Sequence, residues 1–148
     1  MSKHPSADEA LALLMAGNRR HVSDKHAHPN RSASRRVQVI ERQEPFAVIL
    51  GCADSRVPTT VVFDQGIGDL FVVRIAGNIV DDLVLGSIEY AVEYLHVPLV
   101  MVLGHSQCGA IAAAFDHKAD GHIAALANAL QPVIASAMRT GRPNCKRG

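Results

Sequence analysis

The 148 residues of the chain are enough to bury one hydrophobic core, and we interpret residues 1–148 as a single domain. Apolar residues make up 48% and charged residues 20% of the sequence, proportions typical of a globular protein and not of a disordered chain. The formal net charge of +1 leaves no broad basic field for nucleic acid, and the apolar runs are too short to cross a bilayer. The first ten residues lack the apolar stretch of a signal peptide, so we expect a cytoplasmic protein with no membrane partner.

The chain opens with a helical arm, which we predict to extend over residues 1–44. Ser6 and Glu9 have the spacing of a capping box, and leucines follow at helical intervals, which predicts a helix over residues 7–20. A polar connector with a proline comes next. A second, short helix is predicted within residues 34–43, directly before the core of the domain at residues 45–148.

Three short segments have the composition of buried strands: FAVIL at residues 46–50, LFVVRI at 70–75 and PLVMVLG at 98–104. Each is rich in branched apolar residues and lacks the alternation of a half-exposed strand. This pattern predicts parallel strands that helices cover on both faces.

Helix-like segments lie between and after these strands. They occupy residues 57–66 and 81–95, with Asp81 or Asp82 placed as the N-cap of the second, and another helix is predicted over residues 122–138. The alternation of strands and helices predicts an α/β fold, in which a parallel sheet is flanked by helices and preceded by the helical arm.

Each predicted strand ends in a turn with functional side chains or small residues. CADSR at residues 52–56 follows the first strand, Arg74 and the AGN turn at 76–78 follow the second, and GHSQCG at 104–109 follows the third. In open parallel sheets, sites form outside the carboxyl ends of the strands, where the strand order reverses. If the strand order is 2-1-3, the first and third turns face each other across a crevice. The sequence therefore predicts that these two clusters are halves of one site.

Cys52, His105 and Cys108 together have the composition of a catalytic zinc site. His105-x-x-Cys108 at a strand-to-helix turn can bring an imidazole and a thiolate to one metal ion, and Cys52 supplies a second thiolate. Three protein ligands leave a fourth position open, as in catalytic rather than structural zinc sites. We interpret Asp54 as the acceptor that helps a water to ionise, and Arg56 as the partner that keeps the Asp54 carboxylate charged.

Each motif has a plainer interpretation when it is taken alone. An H-x-x-C pair often has no metal, and an aspartate and an arginine two residues apart often only fasten a loop. The two motifs together, each directly after a predicted buried strand, favour a metal site. Cys145 lies in a polar segment and is interpreted as a free surface thiol.

CADSR followed by GHSQCG resembles the β-class carbonic anhydrases, especially bacterial members of the plant-like type. The segments FDQGIGDLFVVRIAGN and GSIEYAVEYLHVPLVMVLGH match the pattern in between, so that the likeness covers about residues 6–135. Members of that family continue for several dozen residues past the length of this chain and supply the last strands of the sheet. We therefore expect a shortened sheet whose third strand is an apolar edge.

The resemblance implies a role for five residues at the predicted site. Cys52, His105 and Cys108 would bind zinc, with Asp54 and Arg56 as the catalytic pair beside it. In the family, the counterpart of Asp54 can also bind the metal as a fourth ligand, which gives a closed, inactive state.

The resemblance also implies a substrate pocket that is completed at a dimer interface. Gln43, Phe71 and Tyr90 correspond to the glutamine, phenylalanine and tyrosine that line it in the plant-like type. The backbone N–H of Gly109, at the start of the next helix, is placed for an anionic oxygen. The expected assembly is a homodimer or a higher homo-oligomer.

The activity implied by the resemblance is the zinc-dependent, reversible hydration of carbon dioxide to bicarbonate and a proton. Two alternatives stay open on the sequence. The shortened chain would be a zinc-binding fragment that is catalytically silent, or a related hydrolase that acts on carbonyl sulfide or carbon disulfide.

Overall fold

The protein is an α/β fold in a computed structural model that describes residues 4–116 and 119–140. Strands β1 (Ala47–Gly51), β2 (Leu70–Arg74) and β3 (Val100–Leu103) form a parallel sheet in the order β2-β1-β3. The predicted fold class and strand order are confirmed, and β3 is an edge strand as expected. Cys145 lies outside the described residues.

Helices precede, separate and follow the strands, as the sequence predicts. They are α1 (Ala7–Val22), α2 (Ala33–Gln38), α3 (Thr59–Val62), α4 (Asp82–Glu93), α5 (Gly109–Phe115) and α6 (Ile123–Arg139), with a 3₁₀ turn at Ala76–Asn78. The helix predicted over residues 57–66 is reduced to the single turn of α3. None of the described helices is both long and apolar enough to cross a membrane.

The predicted helix caps are present as hydrogen bonds. Ser6 Oγ accepts from the backbone N–H of Glu9 at 3.2 Å, and the Glu9 carboxylate accepts from the backbone N–H of Ser6 at 2.7 Å. Asp81 caps α4 by accepting from the N–H of Val84 at 2.8 Å. Both caps satisfy N–H groups that have no partner within the helix.

The sheet lies between two layers of apolar contacts. On one face, Leu14 of α1 and Phe63 pack with Ala47 and Ile49 of β1. The other face has Val48 of β1 in a cluster with residues of α4 and the segment that follows it. All five residues of β1 are buried, so the central strand has the coverage on both faces that its sequence predicts.

The prediction that every strand is covered on both faces is wrong for β3, and in β2 it fails at Val72, which is 37% exposed. Val100 is 43% exposed and Val102 is 64% exposed, although both lie in register with buried residues of β1. The reason is the position of α4, which packs over Val48 and Phe71 and leaves the face of the neighbouring edge strand open. Apolar composition alone does not tell a covered strand from an exposed one.

A buried carboxylate fastens the N-terminal arm to the segment between α3 and β2. Asp64 accepts from Arg20 Nε at 2.6 Å and from the backbone N–H groups of Ala27 and His28 at 2.8 and 3.1 Å. Its side chain has no exposed surface. Burial raises the pKa of Asp64, but the lowering by these hydrogen bonds is larger. The pKa of Asp64 therefore lies below its ordinary value of 3.8.

Candidate metal centre

The loops after β1 and β3 bring together one histidine and two cysteines. Cys52 follows the last residue of β1, His105 lies two residues after β3, and Cys108 is the N-cap of α5. One candidate ligand atom from each of the three lies within 4.8 Å of the other two. Because β1 and β3 are neighbouring parallel strands, their carboxyl ends deliver these side chains to the same edge of the sheet.

The distance between the two thiols fits a shared metal ion. Cys52 Sγ and Cys108 Sγ are 3.8 Å apart, too far for a disulfide, and both cysteines are free and buried. Two sulfurs that are each about 2.3 Å from one tetrahedral zinc ion lie about 3.8 Å from each other. The pair therefore has the spacing that zinc requires.

The orientation of His105 fits the same ion. Its Nδ1 lies 2.9 Å from the carbonyl oxygen of Ser106, and since a carbonyl only accepts, Nδ1 carries the proton. Nε2 is then the unprotonated nitrogen, and it is buried with no hydrogen-bond partner. A buried nitrogen with a free lone pair needs a partner, and a metal ion supplies one.

Cys52 is adapted to be a thiolate. Burial raises the pKa of its thiol, but the hydrogen bonds to the sulfur, above all that from the backbone N–H of Gly77, outweigh burial and bring the pKa to about 7 from an ordinary value of 9.0. The Gly77 nitrogen lies 3.4 Å from the sulfur. A thiolate is the form that binds metal, so these contacts favour the ligand state.

The carboxylate of Asp54 lies beside the three candidate ligands and is held by Arg56. Arg56 Nε donates to Oδ1 at 3.0 Å and Nη2 donates to Oδ2 at 2.8 Å, while the Arg56 backbone N–H donates to Oδ1 at 2.9 Å. These bonds hold the pKa of the Asp54 carboxyl well below its ordinary value of 3.8. Oδ2 is 3.9 Å from His105 Nε2. Among the described residues, the group that could hold a metal ion consists of the two cysteines and His105, without Asp54. The role of Asp54 as a fourth ligand therefore stays a prediction.

Two arginines also connect the loops of the site through backbone carbonyls. Arg56 Nη2 donates to the carbonyl of Gln107 at 3.0 Å and so reaches from the first loop to the second. Arg74 Nε donates to the carbonyl of Cys52 at 2.9 Å, and its Nη2 donates to that of Asp54 at 2.6 Å. The sequence marks Arg74 as the end of a strand but predicts neither contact, because the acceptors are backbone atoms that are present at every residue.

The four residues that were predicted to bind substrate lie in different elements of the fold. Phe71 and Tyr90 lie together, with ring centroids 6.2 Å apart, and Phe71 packs into the cluster around Val48. Gln43 is exposed in the segment before β1, and Gly109 is the exposed first residue of α5. The assignment of these four residues to substrate binding stays a prediction.

Comparison with known proteins identifies the family. A family model described as carbonic anhydrase matches residues 47–146. Carbonic anhydrase 2 of Mycobacterium tuberculosis is 54% identical over 112 residues, which cover 76% of this chain and 54% of the relative. The carbonic anhydrase of Mycolicibacterium smegmatis is 49% identical over 114 residues, covering 77% and 55%. The chain thus spans about half the length of the curated relatives that it matches.

Solved structures agree with the sequence comparison. The β-carbonic anhydrase CafA of Aspergillus fumigatus has a TM-score of 0.66 at 29% identity, with coverage of 90% of this chain and 62% of that one. One of two tetrameric β-carbonic anhydrases of Sordaria macrospora has a TM-score of 0.65 at 29% identity, covering 90% of this chain and 65% of that one. With the converging ligands, these matches show that the chain belongs to the carbonic anhydrase family and has the fold of its β-class members.

Proposed function

We propose that the protein is a zinc-dependent carbonic anhydrase that reversibly hydrates carbon dioxide to bicarbonate and a proton. The observation that carries the proposal is the convergence of Cys52, His105 and Cys108 within 4.8 Å of one another. Membership of the carbonic anhydrase family supports it. We propose a cytoplasmic location on the sequence pattern alone.

Cys52, His105 and Cys108 would hold the zinc ion. When bound, zinc acts as a Lewis acid and brings the pKa of water toward neutrality. Two thiolates balance the charge of a divalent cation, which allows the ion to bind in a partly buried position. The proton on His105 Nδ1, bound to the Ser106 carbonyl, leaves Nε2 free for the metal.

Asp54 would orient the attacking water through Oδ2. Of the two carboxylate oxygens, Oδ1 accepts two hydrogen bonds from Arg56, whereas Oδ2 accepts a single one in the described structure. Oδ2 is also the oxygen 3.9 Å from His105 Nε2. It therefore has a free lone pair on the side of the metal ligands.

Arg56 would keep Asp54 an acceptor throughout the reaction. Because the arginine lowers the pKa of the carboxyl, Asp54 does not retain the proton that the reaction releases. Buffer or another side chain must remove that proton. Asp54 is thus an orienting group rather than a proton store.

We further propose that the protein self-associates. Val100 and Val102 present an exposed apolar edge strand, which is favourable for burial against another chain. One of the structurally similar proteins is described as tetrameric. A second chain would also complete the pocket to which Gln43, Phe71 and Tyr90 are assigned. The molar mass in solution, measured by light scattering, tests this proposal.

A zinc-binding protein without activity is the second candidate, and the exposed valines of β3 favour it. An edge strand with exposed apolar side chains constrains the sheet less than a covered one and would let the loops at its carboxyl edge relax. In that case zinc would bind and hydration would be absent. The hydrolysis of carbonyl sulfide or carbon disulfide is a further alternative, whose chemistry is closer to the proposed activity. An assay of the same zinc-loaded protein with these two substrates tests it.

The decisive experiment combines metal analysis with a hydration assay. We expect about one zinc ion per chain, and a stopped-flow hydration rate well above that of a Cys108→Ser variant prepared in parallel. Zinc uptake without hydration favours the silent candidate. Absence of zinc from the folded protein would contradict both.

A further inference from the structure

The turn between β2 and α4 reaches across the carboxyl edge of the sheet. Its residues follow β2, yet Asn78 Nδ2 donates a hydrogen bond of 2.6 Å to the carbonyl of Leu103, the last residue of β3. In the sheet, β2 and β3 lie on opposite sides of β1. This hydrogen bond therefore spans the end of β1, at the point where Cys52 leaves the strand.

The same turn contacts the candidate ligand Cys52 in the middle of this span. The backbone N–H of Gly77 donates to Cys52 Sγ at 3.4 Å. One residue later, Asn78 holds Leu103, which precedes His105 by two residues. The turn thus contacts one candidate ligand directly and holds the end of the strand that leads to the other two.

Helices α5 and α6 pack against this turn and restrict its backbone conformation. Gly77 has φ +74°, and Asn78 has φ +53°, which asparagine tolerates better than most residues. A Cβ on Gly77 would lie 3.0 Å from Leu130 Cδ1 and 3.3 Å from Ala110 Cβ. Helices α5 and α6 therefore hold the turn against the site, so that its donors do not move freely.

We propose that Asn78 is a positioning residue that sets the spacing between the two halves of the metal-binding group. By fixing the end of β3 relative to Cys52, it orders His105 and Cys108 before the metal binds. The inference rests on the proposed zinc site but not on the hydration activity. Without the hydrogen bond, part of the binding free energy of the metal would be spent on ordering the loop after β3.

Asn78→Asp is the most direct test. Aspartate keeps the size of asparagine and tolerates the same left-handed backbone, but it replaces the donor with a carboxylate that faces the Leu103 carbonyl. We expect the affinity of the apoprotein for Co²⁺, measured by competition with a chromophoric chelator, to fall about 10-fold to 100-fold. We also expect a change in the thiolate-to-cobalt absorption bands.

Asn78→Gly is the second variant, because glycine adopts this φ without strain. Like Asn78→Asp, it should lower the affinity for Co²⁺. The backbone of the turn can keep its left-handed conformation in this variant. Asn30→Gly is the matched control: Asn30 has φ +52°, and its Nδ2 donates to Asp69 at 2.8 Å, in the N-terminal arm. That variant should lower the melting temperature and leave the Co²⁺ affinity unchanged.

The outcomes separate this inference from the proposed function. Wild-type affinity and an unchanged cobalt spectrum in both Asn78 variants would overturn the positioning role alone. A protein that binds metal in an Asn78-dependent way but does not hydrate carbon dioxide would overturn the proposed activity and support the positioning role. A wild-type chain that takes up neither Zn²⁺ nor Co²⁺ would overturn both.

Discussion

Two aspartates of this chain, Asp54 and Asp64, are each bound by an arginine, and their surroundings differ. Asp64 has no exposed side-chain surface and accepts from Arg20 and from two backbone N–H groups of the arm. Asp54 is 17% exposed at its side chain, and its partner Arg56 is 57% exposed. In both cases the hydrogen bonds lower the pKa of the carboxyl.

The difference shows that an aspartate–arginine pair has no function by itself. Each carboxylate accepts three hydrogen bonds from the residues that the structure describes, but the donors to Asp64 all belong to the N-terminal arm and its side chain is fully buried, so this carboxylate is structural. Asp54 has an oxygen with spare accepting capacity beside His105, at the edge where Cys52 and Cys108 meet. The residues around the pair decide its role. The predictions below test this by substituting one residue of either site at a time.

The largest effect is expected from removing a metal ligand next to Asp54. Cys108→Ser replaces a thiol with a hydroxyl, which ionises far less readily and binds zinc poorly. We expect zinc content and hydration activity to be lost together, as measured by metal analysis and stopped-flow assay. Cys145→Ser, at the thiol that the sequence predicts to be free, is the matched control and should keep both. Full activity in Cys108→Ser would contradict the ligand assignment.

Removing the charge of Asp54 should affect catalysis but neither zinc content nor folding. Asp54→Asn keeps the shape of the side chain but weakens the acceptor that orients water, so we expect the hydration rate to fall about 100-fold to 1000-fold. The urea unfolding midpoint and the zinc content should stay close to the wild-type values, because Arg56 is more than half exposed and an ion pair open to solvent contributes little to stability. Wild-type activity in this variant would remove Asp54 from the mechanism.

The equivalent change at Asp64 should give the opposite result. Asp64→Asn leaves Arg20 and a backbone N–H without their charged acceptor in a buried position, and we expect the free energy of unfolding to fall by about 3 kcal/mol. Urea unfolding measures this loss. The hydration rate per folded, zinc-loaded molecule should be unchanged. A selective loss of activity with normal stability would show that the arm contributes to the site.

The smallest effect is expected in the pH dependence of stability. Because the pKa of Asp64 is lower in the folded than in the unfolded chain, its ionised form stabilises the fold fully above the unfolded value near 3.8. That contribution is lost progressively as the pH falls below about 4. Wild-type stability should therefore decrease more steeply than that of Asp64→Asn in acid unfolding followed by circular dichroism. Parallel curves would contradict the linkage.

The sequence predicted the individual elements well because their signals are local. The capping box of Ser6 and Glu9 and the cap at Asp81 involve residues three positions apart, so the spacing is visible in the sequence. The apolar composition of β1 likewise predicted a buried central strand. The covered face predicted for β3 was wrong, because coverage depends on where α4 packs and not on the strand itself.

For the candidate site, the sequence by itself determined which side chains follow strands β1 and β3, and the resemblance to a family indicated their roles. Only the tertiary structure decided that Cys52 Sγ lies 3.8 Å from Cys108 Sγ, that the Asp54 carboxylate lies beside His105 while that of Asp64 is enclosed by the arm, and that Asn78 reaches Leu103 across β1. The physical reason is that these contacts join residues 25 or more positions apart, often through backbone carbonyls. Their distances follow from strand order and helix packing, which no local pattern records.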